Sequence, residues 1–286
     1  MLEEKNTPLQ TLKRLPFYLH YLEELEASGI EYISTPKIAM DLGFNEMSVK
    51  KDFACVTTEK GKPKVGHKVI NLLNDLKSFL GCNLKKSACL VGVGNLGRAL
   101  MGFKGFKRYG LEITMAFDVN PEVVGKTIQG IKVYNYVGDE KLSLISDNTY
   151  DIVINRHESY NEQEIYRILK PNGIFITQQV GAFNNKELSR FFDENHVDQF
   201  PELTLERSIK RLKNNDFNIL FSDEYFPILK FYDLGAIAYF AKIIKWEFIN
   251  FNVKDNIDKF LILQEELKKV GYIPSKEHRF IIVAKK

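Results

Sequence analysis

The chain has 286 residues, 44% of them hydrophobic and 27% charged, which supplies enough apolar mass for a core and too little charge for a disordered chain. The formal net charge of +3 is too small to argue for a polyanionic partner, so any such argument must rest on local charge. The length favours two domains. The opening MLEEKNTP is acidic and polar, unlike a signal peptide, and the longest clean apolar run, Leu234 to Ala241, is far short of a membrane span. A cytoplasmic protein without a membrane partner is expected. Cys55, Cys82 and Cys89 form no C-x-x-C pair, so free thiols and no structural zinc are expected.

Leu12, Leu15, Tyr18, Leu19, Leu22 and Leu25 recur at helical spacing and predict an amphipathic helix over 9–27, ended by Gly29. Ser34-Thr35-Pro36 is a helix start, and that short helix runs to Leu42 before Gly43 stops it. Asn45 then caps a second helix over 46–56. Two short helices joined by a glycine-containing turn make a helix-turn-helix, whose second member presents its first residues to base edges. Ser48, Lys50 and Lys51 are its exposed polar candidates, while Val49 and Phe53 face the core. TTEKGKPKVGHKV, residues 57–69, suits a tight β-wing carrying Lys62 and Lys64. Six lysines from Lys50 to Lys68 face two acids, Asp52 and Glu59, whereas residues 1–85 hold 12 basic and 11 acidic side chains, so the positive charge is focused. A solvated helix face explains any single lysine. Helix, turn, helix and basic wing together favour phosphate contacts to DNA. Residues 67–80 read as a further helix.

ACLVGVGNLGRAL, residues 88–100, is an apolar run ending in Gly92-Val93-Gly94-Asn95-Leu96-Gly97, a G-x-G-x-x-G at a strand-to-helix junction. The first glycine permits a tight turn, the second lets backbone approach a pyrophosphate, and the third lets helix pack on strand. The helix N-terminus then offers unpaired N–H groups to phosphate. A second strand over 113–119 carries Asp118, 21 residues after Gly97, where a ribose-binding acid is expected. The candidate cofactor-binding set is thus Gly92, Val93, Gly94, Asn95, Leu96, Gly97 and Asp118.

TLKRLPFYLHYLEEL, VKKDF, GKPKVGHKV, LVGVGNLGRAL and MAFDVNPEVVGKTIQGIKVYN, in that order across residues 7–135, resemble the bacterial redox-sensing repressor family Rex. The resemblance implies a winged-helix domain, an NAD(H)-binding Rossmann domain, operator DNA as partner, release from DNA at a high NADH to NAD⁺ ratio, and a homodimer. Lys13 and Arg14 match a Lys-Arg pair near the start of the family's first helix, a candidate DNA-backbone contact. Lys50 and Lys51 match its basic pair on the recognition helix. Phe103 departs from the pattern, standing where some members have a tyrosine near the nicotinamide. The family's exchanged C-terminal helix has no recognisable counterpart in HRFIIVAKK, so a dimer is expected to use other surfaces.

Beyond Asn135 the pattern changes, with a polar join around 135–148 containing GDEKLSLISDN. A strand over 150–155, a helix over 163–169, a turn at Pro171-Asn172-Gly173 and a strand over 174–180 follow. Further elements are a strand near 217–221, helices near 232–245 and 257–269, and a last strand over 279–284. Residues 138–286 resemble the C-terminal half of a class I S-adenosylmethionine-dependent methyltransferase. Leu90, two positions before Gly92, occupies the place where such enzymes usually carry an acid, which favours NAD(H), with S-adenosylmethionine the alternative.

His157 and Glu158 follow the end of the strand over 150–155, where ligands bind in open α/β sheets, and suit acid–base or carboxylate-recognition roles; the plainer reading is exposed loop. Tyr232 and Trp246 read as packing residues. With no nucleophile–base triad and no metal-spaced cluster, no catalytic residue and no metal are assigned. The expected fold is α/β, a winged helix-turn-helix over 1–85 followed by a doubly wound Rossmann-like domain over 86–286. The expected function is a DNA-binding repressor, not an enzyme, that senses the NADH/NAD⁺ state. The alternatives are a methyltransferase-like protein with a replaced N-terminal half, or a DNA-binding protein that does not sense.

Overall fold

The computed structural model describes residues 7–58, 61–62, 65–135 and 145–286. They divide into two compact units, one formed by 1–86 with 103–112 and the other by 87–102 with 113–286.

The first unit opens with α1 (Leu9–Ala27), whose Leu15, Tyr18, Leu19 and Leu22 are buried at the predicted spacing. Strand β1 (Tyr32–Ile33) precedes α2 (Thr35–Leu42), where the Ser34 hydroxyl accepts from the Lys37 N–H and Gly43 closes the helix at φ 67°. Helix α3 (Glu46–Val56) starts at Asn45, whose Oδ1 accepts from the Met47 and Ser48 N–H groups. These caps satisfy amides that a helix start leaves unpaired, so each boundary is set locally. β2 (His67–Lys68) pairs antiparallel with β1, and α4 (Val69–Phe79) follows. The helix expected from residue 67 therefore begins two residues later. His67 and Lys68 are drawn into the sheet by Ile33 and Tyr32, a non-local pairing that overrides helical periodicity. Gly66 sits at φ 92°, and a Cβ there would lie 2.3 Å from the Ile33 carbonyl oxygen, so the position requires glycine on both counts. The core joins α1, α3 and α4 through Leu19, Val49, Phe53, Leu72 and Leu76.

The second unit is built on a mixed sheet. Strand β3 (Lys86–Val91) leads into α5 (Asn95–Gly102); α6 (Gly105–Arg108) belongs to the first unit. Next come β4 (Leu111–Asp118), β5 (Thr127–Ile128), β6 (Ile131–Asn135), β7 (Tyr150–Arg156), α7 (Glu162–Ile168) and β8 (Leu169–Val180). After these come α8 (Lys186–Phe192), α9 (Leu205–Asn214), β9 (Asn218–Tyr225), β10 (Ile228–Phe231), α10 (Leu234–Ile243), α11 (Ile257–Val270), β11 (Ile273–Lys276) and β12 (Arg279–Lys285). Among the described residues the strand order is β5-β6-β4-β3-β7-β8-β12-β9. β3, β7 and β8 run parallel, as do β4 and β6, while β12 is antiparallel to both β8 and β9. From β6 to β8 this is the dinucleotide-fold order, with the chain reversing its direction of travel at β3. Beyond β8 the order departs from that fold, because the last strand inserts between β8 and β9.

The expected turn at Pro171-Asn172-Gly173 does not separate a helix from a strand. β8 begins at Leu169, which pairs with Tyr150, and the three residues form an irregularity within the strand, with Asn172 at φ 66°. α8, α9 and the antiparallel pair β10–β11 were not anticipated. The pair and α8, α10 and α11 enclose a separate apolar cluster that includes Leu188, Phe192, Phe231, Ile237, Phe248 and Ile273. The main sheet core holds Val91, Phe117, Val153, Phe175, Phe280 and Ile282. Among the described residues no helix is long and apolar enough to cross a membrane.

Candidate functional sites: a recognition helix and a glycine-loop crevice

On α3, Lys50 and Lys51 are exposed and Ser48 is half-buried, while Val49 and Phe53 face the core. Lys50 Nζ lies 2.6 Å from Glu46 Oε1 one turn earlier, an exposed pair of little energetic weight. Lys51 has no ion pair among the described residues. Lys13 is exposed on α1 and Lys62 is exposed beside Gly66, to which its N–H donates. Lys64 lies outside the described residues.

Arg14 has a partner within its own unit. Its Nε and Nη2 donate to the two carboxylate oxygens of Asp52 at 2.7 and 2.8 Å, so two of its guanidinium nitrogens are spent inside the unit. Asp52 also accepts from Thr11 Oγ1 and the Tyr18 hydroxyl, both at 2.7 Å. Burial raises the Asp52 carboxyl, but the bonds from Arg14, Tyr18 and Thr11 outweigh it and hold the group below the usual carboxylate range. Asp52 thus ties the helix bearing Lys50 and Lys51 to α1. Sequence reading counted it only as an opposing charge.

In the second unit the crevice opens where the chain switches direction, between the carboxyl ends of β3 and β7, paired with Val91 opposite Asn155. The three glycines have separate steric roles. A Cβ on Gly92, at φ 99°, would lie 2.8 Å from the Arg156 carbonyl oxygen, and one on Gly97 would lie 2.1 Å from the Gly92 carbonyl oxygen. Gly94 has nothing within 4 Å of that position, and Gly94, Asn95 and Leu96 are exposed at the tip. Gly92, Val93 and Gly97 are buried. The first and third glycines thus allow the turn to close, and the second leaves its outer side open to a ligand.

Asp118, buried at the end of β4, accepts from the Val93 N–H at 2.5 Å and the Asn120 N–H at 2.7 Å. It therefore braces the glycine turn. A carboxylate offers about four lone-pair directions, so these two bonds leave room for two ribose hydroxyls.

Glu158 reaches the same place, its Cγ 3.0 Å from the Cβ position of Gly92. Burial, then the negative field of Asp118, raises its carboxyl above the ordinary value. His157 sits at φ 56° and its N–H donates to the Gln178 carbonyl. His157 is an exposed loop residue, in line with the plainer reading; burial of part of its ring, then Arg156 and Arg279, pushes its imidazole down to about 4.

Sequence reading missed the group that holds this loop. Asn155 is buried, its Nδ2 donates to the Glu158 carbonyl, and its Oδ1 accepts from Thr177 Oγ1 and Gln179 Nε2 at 2.7 and 2.6 Å. The available signal was Thr177 and Gln179, polar residues two apart and so on one face of the strand, continuing the face of the apolar Phe175. Leu90 is fully buried, and Phe103 lies in the first unit, exposed and edge-to-face with Phe106 at 5.1 Å. Tyr232 and Trp246 are largely exposed rather than packed in a core. Among the described residues no cluster could hold a metal ion.

Two family models match: "Putative DNA-binding protein N-terminus" over residues 6–54 and "CoA binding domain" over residues 83–155. The redox-sensing transcriptional repressor Rex of Treponema denticola is 36% identical over 174 residues, 61% of this chain and 81% of that protein. The chain belongs to the Rex family of transcriptional repressors. Membership places it among regulators rather than enzymes. Rex of Porphyromonas gingivalis is 41% identical over 132 residues, and there the match spans 60% of the relative. A solved structure of RSP, a Rex-family repressor, in complex with NAD⁺ and operator DNA is 26% identical, with a TM-score of 0.50 over 57% of this chain and 74% of RSP. A Bacillus halodurans chain described as a "putative methyltransferase" is 15% identical over 73% of this chain, with a TM-score of 0.45.

Proposed function

We propose that the chain is a homodimeric repressor in which a winged-helix domain over residues 1–85 reads operator DNA and a Rossmann-like domain over 86–286 binds NAD(H). The observation that carries this reading is the Gly92–Gly97 turn at a topological switch point, in a chain that also holds a capped helix-turn-helix. In support, RSP has been solved with NAD⁺ and operator DNA, and separately with NADH. Ser48, Lys50 and Lys51 would face bases or phosphates, with Lys13, Lys62 and Lys64 contributing backbone contacts; Arg14 serves mainly to place α3. Gly94, Asn95 and Leu96 would meet the pyrophosphate, and Asp118 the adenosine ribose. NAD(H), when bound, supplies the redox signal. His157 and Glu158 would line the crevice, Glu158 beside the glycine turn and His157 exposed next to it.

A two-fold operator requires two copies of the reading head, which argues for the dimer. Calorimetric titration with NADH, NAD⁺ and S-adenosylmethionine in parallel tests the cofactor. Binding of S-adenosylmethionine alone overturns it. Light scattering with and without NADH, paired with operator binding at both redox ratios, tests the dimer and its response. A monomer at all ratios refutes the dimeric reading.

A further inference from the structure

We propose that a cavity of the second unit, remote in sequence from the glycine loop, binds a small alkylammonium ion. The cavity, about 140 Å³, lies between α8 and the segment after α10; its lining includes Ser189, Phe192, Asp193, Glu247, Phe248 and Phe251, with His196, whose Nε2 faces Asp198 at 3.6 Å. That volume exceeds what one water needs several times over.

The lining has the chemistry of a cation site. Glu247 has no ion pair among the described residues; its two oxygens accept instead from the Asn184 and Asn185 side-chain amides at 2.5 and 2.7 Å. Both donors are neutral; burial raises its carboxyl above the ordinary range, and the charge of Arg279 offsets only part of that. Asp193 adds a second carboxylate, with one oxygen taken by the Asn195 N–H. Lys259 donates to the Phe192 carbonyl oxygen at 2.6 Å and pairs with neither Glu247 nor Asp193.

The three phenyl rings meet one another at centroid distances of 5.1 to 6.3 Å. Aromatic faces attract a cation through the ring quadrupole, and ammonium ligands are bound elsewhere by such cages. Ser189 gives an independent pointer. It is 2% exposed, and its hydroxyl has no hydrogen-bond partner. A buried orphan hydroxyl forfeits its solvation without return, so its presence on a cavity wall calls for a partner inside. An ammonium N–H donating to Ser189 Oγ and to a carboxylate oxygen meets both needs, with the alkyl body against the rings. This inference does not depend on the cofactor reading.

The test uses the full chain, with ethylammonium chloride as probe, sodium chloride at matched ionic strength as control, and tetramethylammonium chloride as a probe without N–H donors. Trp246, the single tryptophan of the chain, adjoins Glu247 and gives a fluorescence readout, with calorimetry as the second measurement. Saturable ethylammonium binding is expected, weakened by about tenfold or more in Glu247→Gln, since a charge-assisted bond becomes a neutral one. Asp193→Asn keeps the oxygen that accepts from Asn195, so it should fold normally and still weaken binding if Glu247→Gln proves unstable. Tetramethylammonium should bind more weakly, because it cannot use Ser189. A response equal to that of sodium chloride, or unchanged ethylammonium affinity in folded Asp193→Asn, overturns the proposal.

Discussion

Replacing Asp52 by alanine should separate two ways of losing operator binding. The side chain is 1% exposed and accepts hydrogen bonds from Thr11, Tyr18 and two nitrogens of Arg14. Removing one member of a buried ion pair costs about 3–5 kcal/mol, because the partner keeps its desolvation penalty. The Arg14 side chain is 22% exposed and can rehydrate, which points to the lower end, while the fully buried Tyr18 loses its acceptor. We expect a loss of about 3 kcal/mol, or roughly 12–24 °C in Tm if the first unit unfolds as one domain of its size. Urea and thermal unfolding followed by circular dichroism measure it. Operator affinity should fall together with stability, since α3 loses its tie to α1. The pH dependence has a definite sign. The folded carboxyl lies below its unfolded value, so the stabilisation is complete above about pH 4 and is lost as pH falls below that. A loss under about 1 kcal/mol, or stability independent of pH between about 5 and 2, would refute the reasoning.

Lys51→Ala, by contrast, should leave the unfolding curve within about 0.5 kcal/mol of wild type while weakening operator binding by about 1–3 kcal/mol if the side chain reads a base edge, with Lys50→Ala behaving alike. Wild-type gel shifts for both at physiological salt would remove the recognition-helix assignment. NADH should bind more tightly than NADPH, because a 2′-phosphate would meet the charges of Asp118 and nearby Glu158; equal affinities by fluorescence titration count against Asp118 as the ribose acid. Gly97→Ala, whose Cβ would lie 2.1 Å from the Gly92 carbonyl oxygen, should abolish NADH binding while the helix-turn-helix unit still melts as before. Retained NADH affinity would show that the turn is not the site.

What the sequence determined by itself is what neighbouring residues decide. Ser34, Gly43 and Asn45 cap amides and carbonyls within a few positions, so both short helices of the reading head were legible residue by residue. The apolar run into Gly92-Val93-Gly94-Asn95-Leu96-Gly97 was legible for the same reason, since turn, loop and helix start lie within one short stretch. Tertiary structure decided the matters that join distant positions. Arg14 is bound to Asp52, 38 residues on, a buried carboxylate that the sequence shows only as a nearby acid. His67 and Lys68 became strand because Tyr32 and Ile33 offered backbone partners, which periodicity does not encode. Leu169 joined β8 because Tyr150 lay alongside, which turned a proline-glycine break into an irregularity. The supports of the crevice, Asn155 with Thr177 and Gln179, come from two parallel strands. A buried polar group must find its partner wherever the fold brings one, and a sequence shows the group without showing the partner.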